Sequence, residues 1–138
     1  MDDPMADTLE LEVATPEREL VCEQVSELQV PGKEGYMGIL PGHAPLMGLL
    51  GIGTLTYVSD GKKRYISVHE GFVEVLDDHV RVLADVAERA EEIDIRRARL
   101  ALERAQEEGL NPALGVDPGA ALLAMARAQA RIATAELK

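Results

Sequence analysis

The chain changes its hydropathy pattern once, near Val86, and that change limits what it can fold into. Before it, the apolar residues repeat at short range. "LELEV" at 9–13 alternates leucine or valine with glutamate, the pattern of a strand with one wet face. "VCEQVSELQV" at 21–30 holds similar strand-like stretches. "GTLTYVSDGKKRYISV" at 53–68 is two β-rich runs about Asp60-Gly61, and "GFVEVLDDHVRVLADV" at 71–86 is two more about Asp77-Asp78. Both read as hairpins. After Val86 the period lengthens. "AERAEEIDIRRARLALERAQEEG" at 87–109 is rich in helix formers and stops at Gly109; "LNPALGVDPG" at 110–119 is a connector with two prolines. "AALLAMARAQARIATAEL" at 120–137 is a second, alanine-rich helix. Short strands joined by tight turns predict an all-β sandwich without βαβ units, and two helices on a short link predict an antiparallel pair. The expected fold is therefore an N-terminal all-β sandwich over residues 1–87 and a C-terminal antiparallel α-helical hairpin over 88–138.

Composition narrows the functions available. At 138 residues the chain makes one ordinary domain, or a small domain with an appendage. Apolar residues are 46% and charged residues 28%, which suits a folded soluble protein. With one Phe, three Tyr and no Trp, the core must be built from Val, Leu, Ile, Met and Ala. A net charge of -11 disfavours nucleic acid as a partner and adhesion to an anionic membrane. The acidity sits mainly in residues 1–87, with 16 acidic against 6 basic residues; residues 88–138 have 9 against 8. Cys22 is the single cysteine, so no internal disulfide and no cysteine-based zinc cluster is expected. "MDDPMADTLE" lacks the apolar core of a signal peptide, and no run is long enough to span a bilayer, so no direct bilayer insertion is expected.

Candidate chemistry is sparse. His43, His69 and His79 are scattered and show no metal-ligand spacing. His43 sits in "GILPGHAPL", held between Pro41 and Pro45 beside Gly42, which points to a loop-fixing or partner-facing residue. His69 and Glu70 are neighbours, but strand alternation turns adjacent side chains to opposite faces, so they are not expected to work as a pair. There is no phosphate-cradling glycine loop and no nucleophile elbow, and the chain is expected not to be an enzyme and to require no metal or cofactor. The arginines are more suggestive. Arg97 and Arg104 are seven apart on the first helix, and Arg127 and Arg131 are four apart on the second, where like charges repel. With the helices side by side, four guanidiniums could converge on an anion, for which phosphate is well shaped. Glu88 and Asp94 would accept from a base or ribose, or orient the arginines. The competing reading is a pair of solvated faces with Arg–Glu pairing, such as Arg104 with Glu108. The hairpin seam is largely alanine, which supports helix but buries little area, so a loosely docked, switching element is reasonable.

Three segments carry a resemblance over essentially the whole chain: "GILPGHAPL" at 38–46, "EGFVEV" at 70–75 and "VLADVAERAEEID" at 82–94. Together they closely resemble the epsilon subunit of F-type ATP synthase, bacterial type. The resemblance implies a non-catalytic subunit of the rotor's central stalk, which binds the gamma subunit and rests on the c-subunit ring. It places the chain on the cytoplasmic side of the bacterial cell membrane, as a peripheral component. It also implies that the hairpin can extend toward the catalytic alpha/beta hexamer and inhibit ATP hydrolysis. In that setting the "EGYMGILPGHAP" segment, 34–45, resembles the loops that meet the ring and the foot of gamma, making Tyr36 and His43 partner-interface residues. Tyr36 departs from the acidic residue some relatives carry there. Some bacterial members bind ATP through an I/L-D-x-x-R-A motif, present here from Ile93 and Asp94 through Arg97 to Ala98. The resemblance extends the expected ATP site to Glu88, Arg104, Arg127 and Arg131, with ATP as a regulatory ligand. The alternative function is a freestanding nucleotide-sensing interaction protein.

Overall fold

The computed structural model describes residues 7–138. Seven strands come first: β1 Leu9–Ala14, β2 Glu19–Val25, β3 Glu27–Gly32, β4 Gly35–Ile39, β5 Leu46–Ser59, β6 Lys62–Leu76 and β7 His79–Arg89. They form one sheet in the order β2-β1-β7-β6-β5-β3-β4, antiparallel except where β1 runs parallel to β7. A 3-10 turn at Ala90–Glu92 leads into α1 Ile95–Leu110, and a second at Pro112–Leu114 into α2 Pro118–Leu137.

The tight turns lie where the sequence places them. Asp60 and Gly61 have φ of 51° and 75°, and Asp77 and Asp78 have 48° and 59°. Left-handed residues at both central positions match the right-handed twist of the flanking strands, which is why aspartate and glycine occupy them.

A single sheet becomes a sandwich because its three longest strands change phase at the same level. In β5 the inward residues are Leu50, then Leu55 and Tyr57; in β6 they are Ile66 and Val68, then Val73 and Val75. In β7 they are Val80, Val82 and Ala84, then Ala87. The switch falls between the row Leu50–Gly71–Ala84 and the row Ile52–His69–Val86. Glu70 and Gly71 make the turn of phase, with φ of 61° and 121°. Gly71 has a second reason to be glycine: a Cβ there would lie 2.1 Å from the Leu83 carbonyl oxygen. Bent this way, the sheet closes over a core that also takes Leu9, Leu11 and Val13 from the alternating β1, and Val25, Val30 and Ile39.

The helix pair forms the expected hairpin, but its first helix begins at Ile95, not near residue 87. The segment 87–89 stays in β7, where Ala87, Glu88 and Arg89 pair with Val68, Ser67 and Ile66. Pairing on a covered sheet outweighs their helix propensity. The start is set by Asp94, whose Oδ1 accepts from the backbone N–H of Arg97 at 3.1 Å. Along the seam Ala98 and Ala105 of α1 meet Ala121, Ala128 and Ala135 of α2, all buried at heptad spacing. Gly109 continues it, within 3.5 Å of the Ala121 Cβ when a methyl is built there.

Candidate functional site

Helix α2, rather than α1, lies on the outer face of β5 and β6. Beneath it the strand register lays out two rows of side chains: Thr54–Ser67–Glu88 and Ile52–His69–Val86. Two ion pairs join helix to sheet. Arg127 Nη2 donates to Glu70 Oε1 at 3.1 Å, and Arg131 Nε donates to Glu88 Oε1 at 2.5 Å. At the C-terminal end Thr54 and Thr134 bring their hydroxyls within 2.7 Å of each other in a buried contact.

His69 lies at the centre, 1% exposed. Its Nε2 is 3.0 Å from Ser67 Oγ, while its Nδ1 is buried without a partner. Arg127 Nε is likewise buried and unpartnered. Burial lowers the pKa of His69 to about 4; Arg131 and Arg127 push the same way, and Glu88 and Glu70 oppose them.

His69 and Glu70 are thus not turned apart as simple alternation predicts. The positive φ at Glu70 breaks the alternation, and both side chains serve the α2 side. They remain without a hydrogen bond to each other, each having a different partner.

The residues expected to hold an anion fall into two sets. Arg127 and Arg131 face the sheet and already carry its carboxylates, Glu88 among them. On α1 Arg104 is paired with Glu108 at 3.1 Å, while Arg97 is exposed and contributes only its backbone N–H to the Asp94 cap. Ile93 is buried at the junction. Arg127 and Arg131 are thus gathered at the helix–sheet seam, while Arg104 pairs with Glu108 as a solvated helix face does. Sequence reasoning set His69 and Glu70 aside on the alternation rule and missed Ser67, Thr54 and Thr134. Glu70 had a signal, a bulky residue just before a glycine in a long strand, but the others had none.

The two candidate partner residues lie elsewhere. Tyr36 is 56% exposed on the edge strand β4, and its hydroxyl accepts from the Thr54 backbone N–H at 3.1 Å. It fills a gap where the β3–β5 ladder shifts register around Pro31, and its ring covers Gly53. His43 is half-buried; its Nδ1 donates to the Ala44 carbonyl at 2.6 Å and its N–H to Leu40 O at 3.1 Å. Asp78, in the β6–β7 turn, accepts from the Gly42 N–H at 2.6 Å and so ties this loop to the sandwich.

A third surface is apolar and uncovered. On the half of the sheet that α2 leaves open, Leu49 and Phe72 stand side by side with Leu83 next in the row. Met47 and Leu76 flank them, and Met47, Leu49, Phe72 and Leu76 are all exposed. Among the described residues no group of three or more histidine, cysteine or acidic side chains is placed to hold a metal. No helix among them is long and apolar enough to cross a membrane.

The chain is thus a bent β sandwich with a helix pair latched to its outer face by two ion pairs. Residues 8–90 match the ATP synthase, Delta/Epsilon chain, beta-sandwich domain. The ATP synthase epsilon chain of Solibacter usitatus is 75% identical over 134 residues, covering 97% of this chain and 100% of that one. The epsilon chain of Nitratidesulfovibrio vulgaris is 44% identical, covering 93% and 96%. Among solved structures, a chain of the Euglena gracilis mitochondrial ATP synthase, seen with its OSCP/F1/c-ring, superposes with a TM-score of 0.84 at 26% identity. That match covers 100% of this chain and 86% of the other. A Tetrahymena thermophila mitochondrial chain shares the fold at a TM-score of 0.53 and 16% identity, over 62% and 69% of the two chains. The chain belongs to the epsilon-chain family of F-type ATP synthase, non-catalytic subunits of the rotary motor's central stalk.

Proposed function

We propose that the helix pair that follows β7 is a nucleotide-sensitive brake on a rotor subunit, and that the β sandwich holds it to the rotor. The β domain couples the rotor to the catalytic head from the cytoplasmic side of the membrane. Its open apolar row, Leu49, Phe72 and Leu83 with Met47 and Leu76, is the surface offered to the gamma subunit, since apolar patches of this kind favour protein partners. Tyr36 and the His43 loop face the c-subunit ring.

The observation that carries the regulatory reading is the clamp between α2 and the sheet. Arg127 and Arg131 hold the helix down through Glu70 and Glu88, and Arg97 and Arg104 present further guanidiniums on the neighbouring helix. A triphosphate bridging the two helices would fasten the hairpin in this docked form, with Asp94 and Glu88 accepting from its base and ribose and Ile93 packing below. It favours the docked form only as far as it binds that form better. Its phosphates must compete with Glu70 and Glu88 for the same arginines, which keeps affinity modest and the response tied to nucleotide level. When ATP falls, the hairpin rises toward the alpha/beta hexamer and stops hydrolysis.

ATP titration of the full chain, followed by amide NMR beside an Arg127→Ala/Arg131→Ala variant, tests this. Saturable shifts in both helices, lost in the variant, are expected. An absence of shifts at millimolar ATP would sink the nucleotide reading and leave the rotor assignment standing.

A further inference from the structure

We propose that His69 makes docking of the hairpin sensitive to protons: the neutral ring fits beneath α2, and the protonated ring drives the helix off. The geometry provides a partner for one ring nitrogen and none for the other. In the neutral ring one nitrogen pairs with Ser67 Oγ at 3.0 Å and the other, Nδ1, has no partner. The neutral ring is assigned as the Nε2–H tautomer, which donates to Ser67 and leaves no N–H unmet; protonation then makes Nδ1 a donor in a buried place that offers it no acceptor, and an unmet buried donor is costly.

The charges around it point the same way. From α2 the ring faces Arg127 and Arg131; from β7 it faces Glu88, and from its own strand Glu70. The two carboxylates are already taken by the two guanidiniums, so the cluster is neutral as it stands. A proton on His69 gives it a net positive charge under a helix that presents two arginines. The neighbours from β5, Ile52 beside His69 and Thr54 beside Ser67, carry no compensating charge.

Covered, the ring titrates at about 4. Freed by undocking, it stands on an open strand and returns to the ordinary histidine range near 6.5. The sign follows from that order. A depressed pKa in the docked form favours docking above the undocked value, and the advantage is lost as pH falls through it. From these two values the docking constant falls about tenfold between pH 7.5 and pH 5.5. The consequence for the motor rests on the brake reading above: an acidified cytoplasm would shift the balance toward the raised, inhibiting hairpin by up to about tenfold.

The test uses the full chain without nucleotide. Amide protection factors along α2 are measured at these two pH values in the native chain and in His69→Gln, and the His69 Cε1–H is titrated in the native chain. The expected result is an about tenfold fall in protection for the native chain, a flat profile for the variant and a ring that stays neutral down to about pH 5. Equal protection at both pH values, an equal fall in the variant, or a ring titrating near 6.5 while α2 is docked would each overturn the proposal. The ring titration needs no variant, so it decides the matter even where His69→Gln fails to fold. ATP is absent from every arm, so failure here is separate from failure of the nucleotide reading.

Discussion

Thr54 Oγ1 donates to Thr134 Oγ1 across 2.7 Å, joining positions 80 residues apart. The direction is fixed by the second bond of Thr134, whose single hydroxyl proton goes to the Ala130 carbonyl at 2.7 Å. Both residues are buried. Thr134→Val keeps the shape but strands the Thr54 donor, and is expected to cost about 1–3 kcal/mol. Thr54→Val leaves Thr134 its bond to Ala130 and should cost less. The double variant should recover part of the loss, since replacing both partners removes the orphan. Denaturant unfolding of the four proteins gives the coupling directly; additive losses would mean the two hydroxyls do not pair.

Glu70 and Gly71 should respond in opposite ways to a change of side chain. Glu70 is held at a positive φ that a residue with a Cβ adopts at a cost of about 1–2 kcal/mol. Glu70→Gly removes that strain and also removes the partner of Arg127, a half-exposed ion pair of little net worth. Global stability is expected to hold or rise by up to about 1 kcal/mol, while amide protection along α2 falls. Gly71→Ala places a methyl against the Leu83 carbonyl where the sheet bends, and should cost at least about 3 kcal/mol or abolish folding. Thermal unfolding distinguishes the two at once.

Acid should weaken the junction between sandwich and hairpin at a pH set by Glu92. Hydrogen bonding from Arg18 holds the Glu92 carboxyl below the usual glutamate range, helped by Arg89, although burial opposes this. A depressed carboxylate pKa contributes stability above the ordinary value, and that contribution disappears as pH falls through the lowered one. Arg18→Ala should therefore be destabilising near neutral pH and indistinguishable from the native chain once Glu92 is protonated. Unfolding curves across the acid range check this; a penalty that persists unchanged in acid would show that Arg18 acts through packing instead.

How much of this was legible depended on whether the cause was local. The Asp60-Gly61 and Asp77-Asp78 turns were readable because left-handed conformations select residue types, and β1 because Leu9, Leu11 and Val13 alternate with polar residues. The helix start was misplaced because the partners that keep Ala87, Glu88 and Arg89 in β7 lie about 20 residues away on β6. The spacing of Arg127 and Arg131 marked them as unusual, yet nothing in the chain pointed to Glu70 as a partner. The sandwich bend reverses the alternation there, so the rule that separated His69 from Glu70 fails at that one place. Thr54 and Thr134 meet only because the hairpin folds back over the sheet, and no pattern within either segment encodes that.

The alanine seam can be tested by filling it. Ala128 of α2 is buried, at heptad spacing from Ala121 and Ala135. Small residues at this spacing let the two helices approach closely, so a larger side chain must push them apart or force an unfavourable rotamer. Ala128→Leu is expected to destabilise the hairpin by about 1–3 kcal/mol despite adding apolar surface. The β core, which contains no residue of α2, should be untouched. Amide exchange resolves the two parts: protection should fall along α1 and α2 and remain at native levels in β1, β6 and β7. An equal fall in the strands would mean that the hairpin and the sandwich unfold as one unit, and that undocking cannot occur without melting the domain beneath it. The brake needs the first outcome, because a hairpin that rises from the sheet must leave an intact rotor subunit behind.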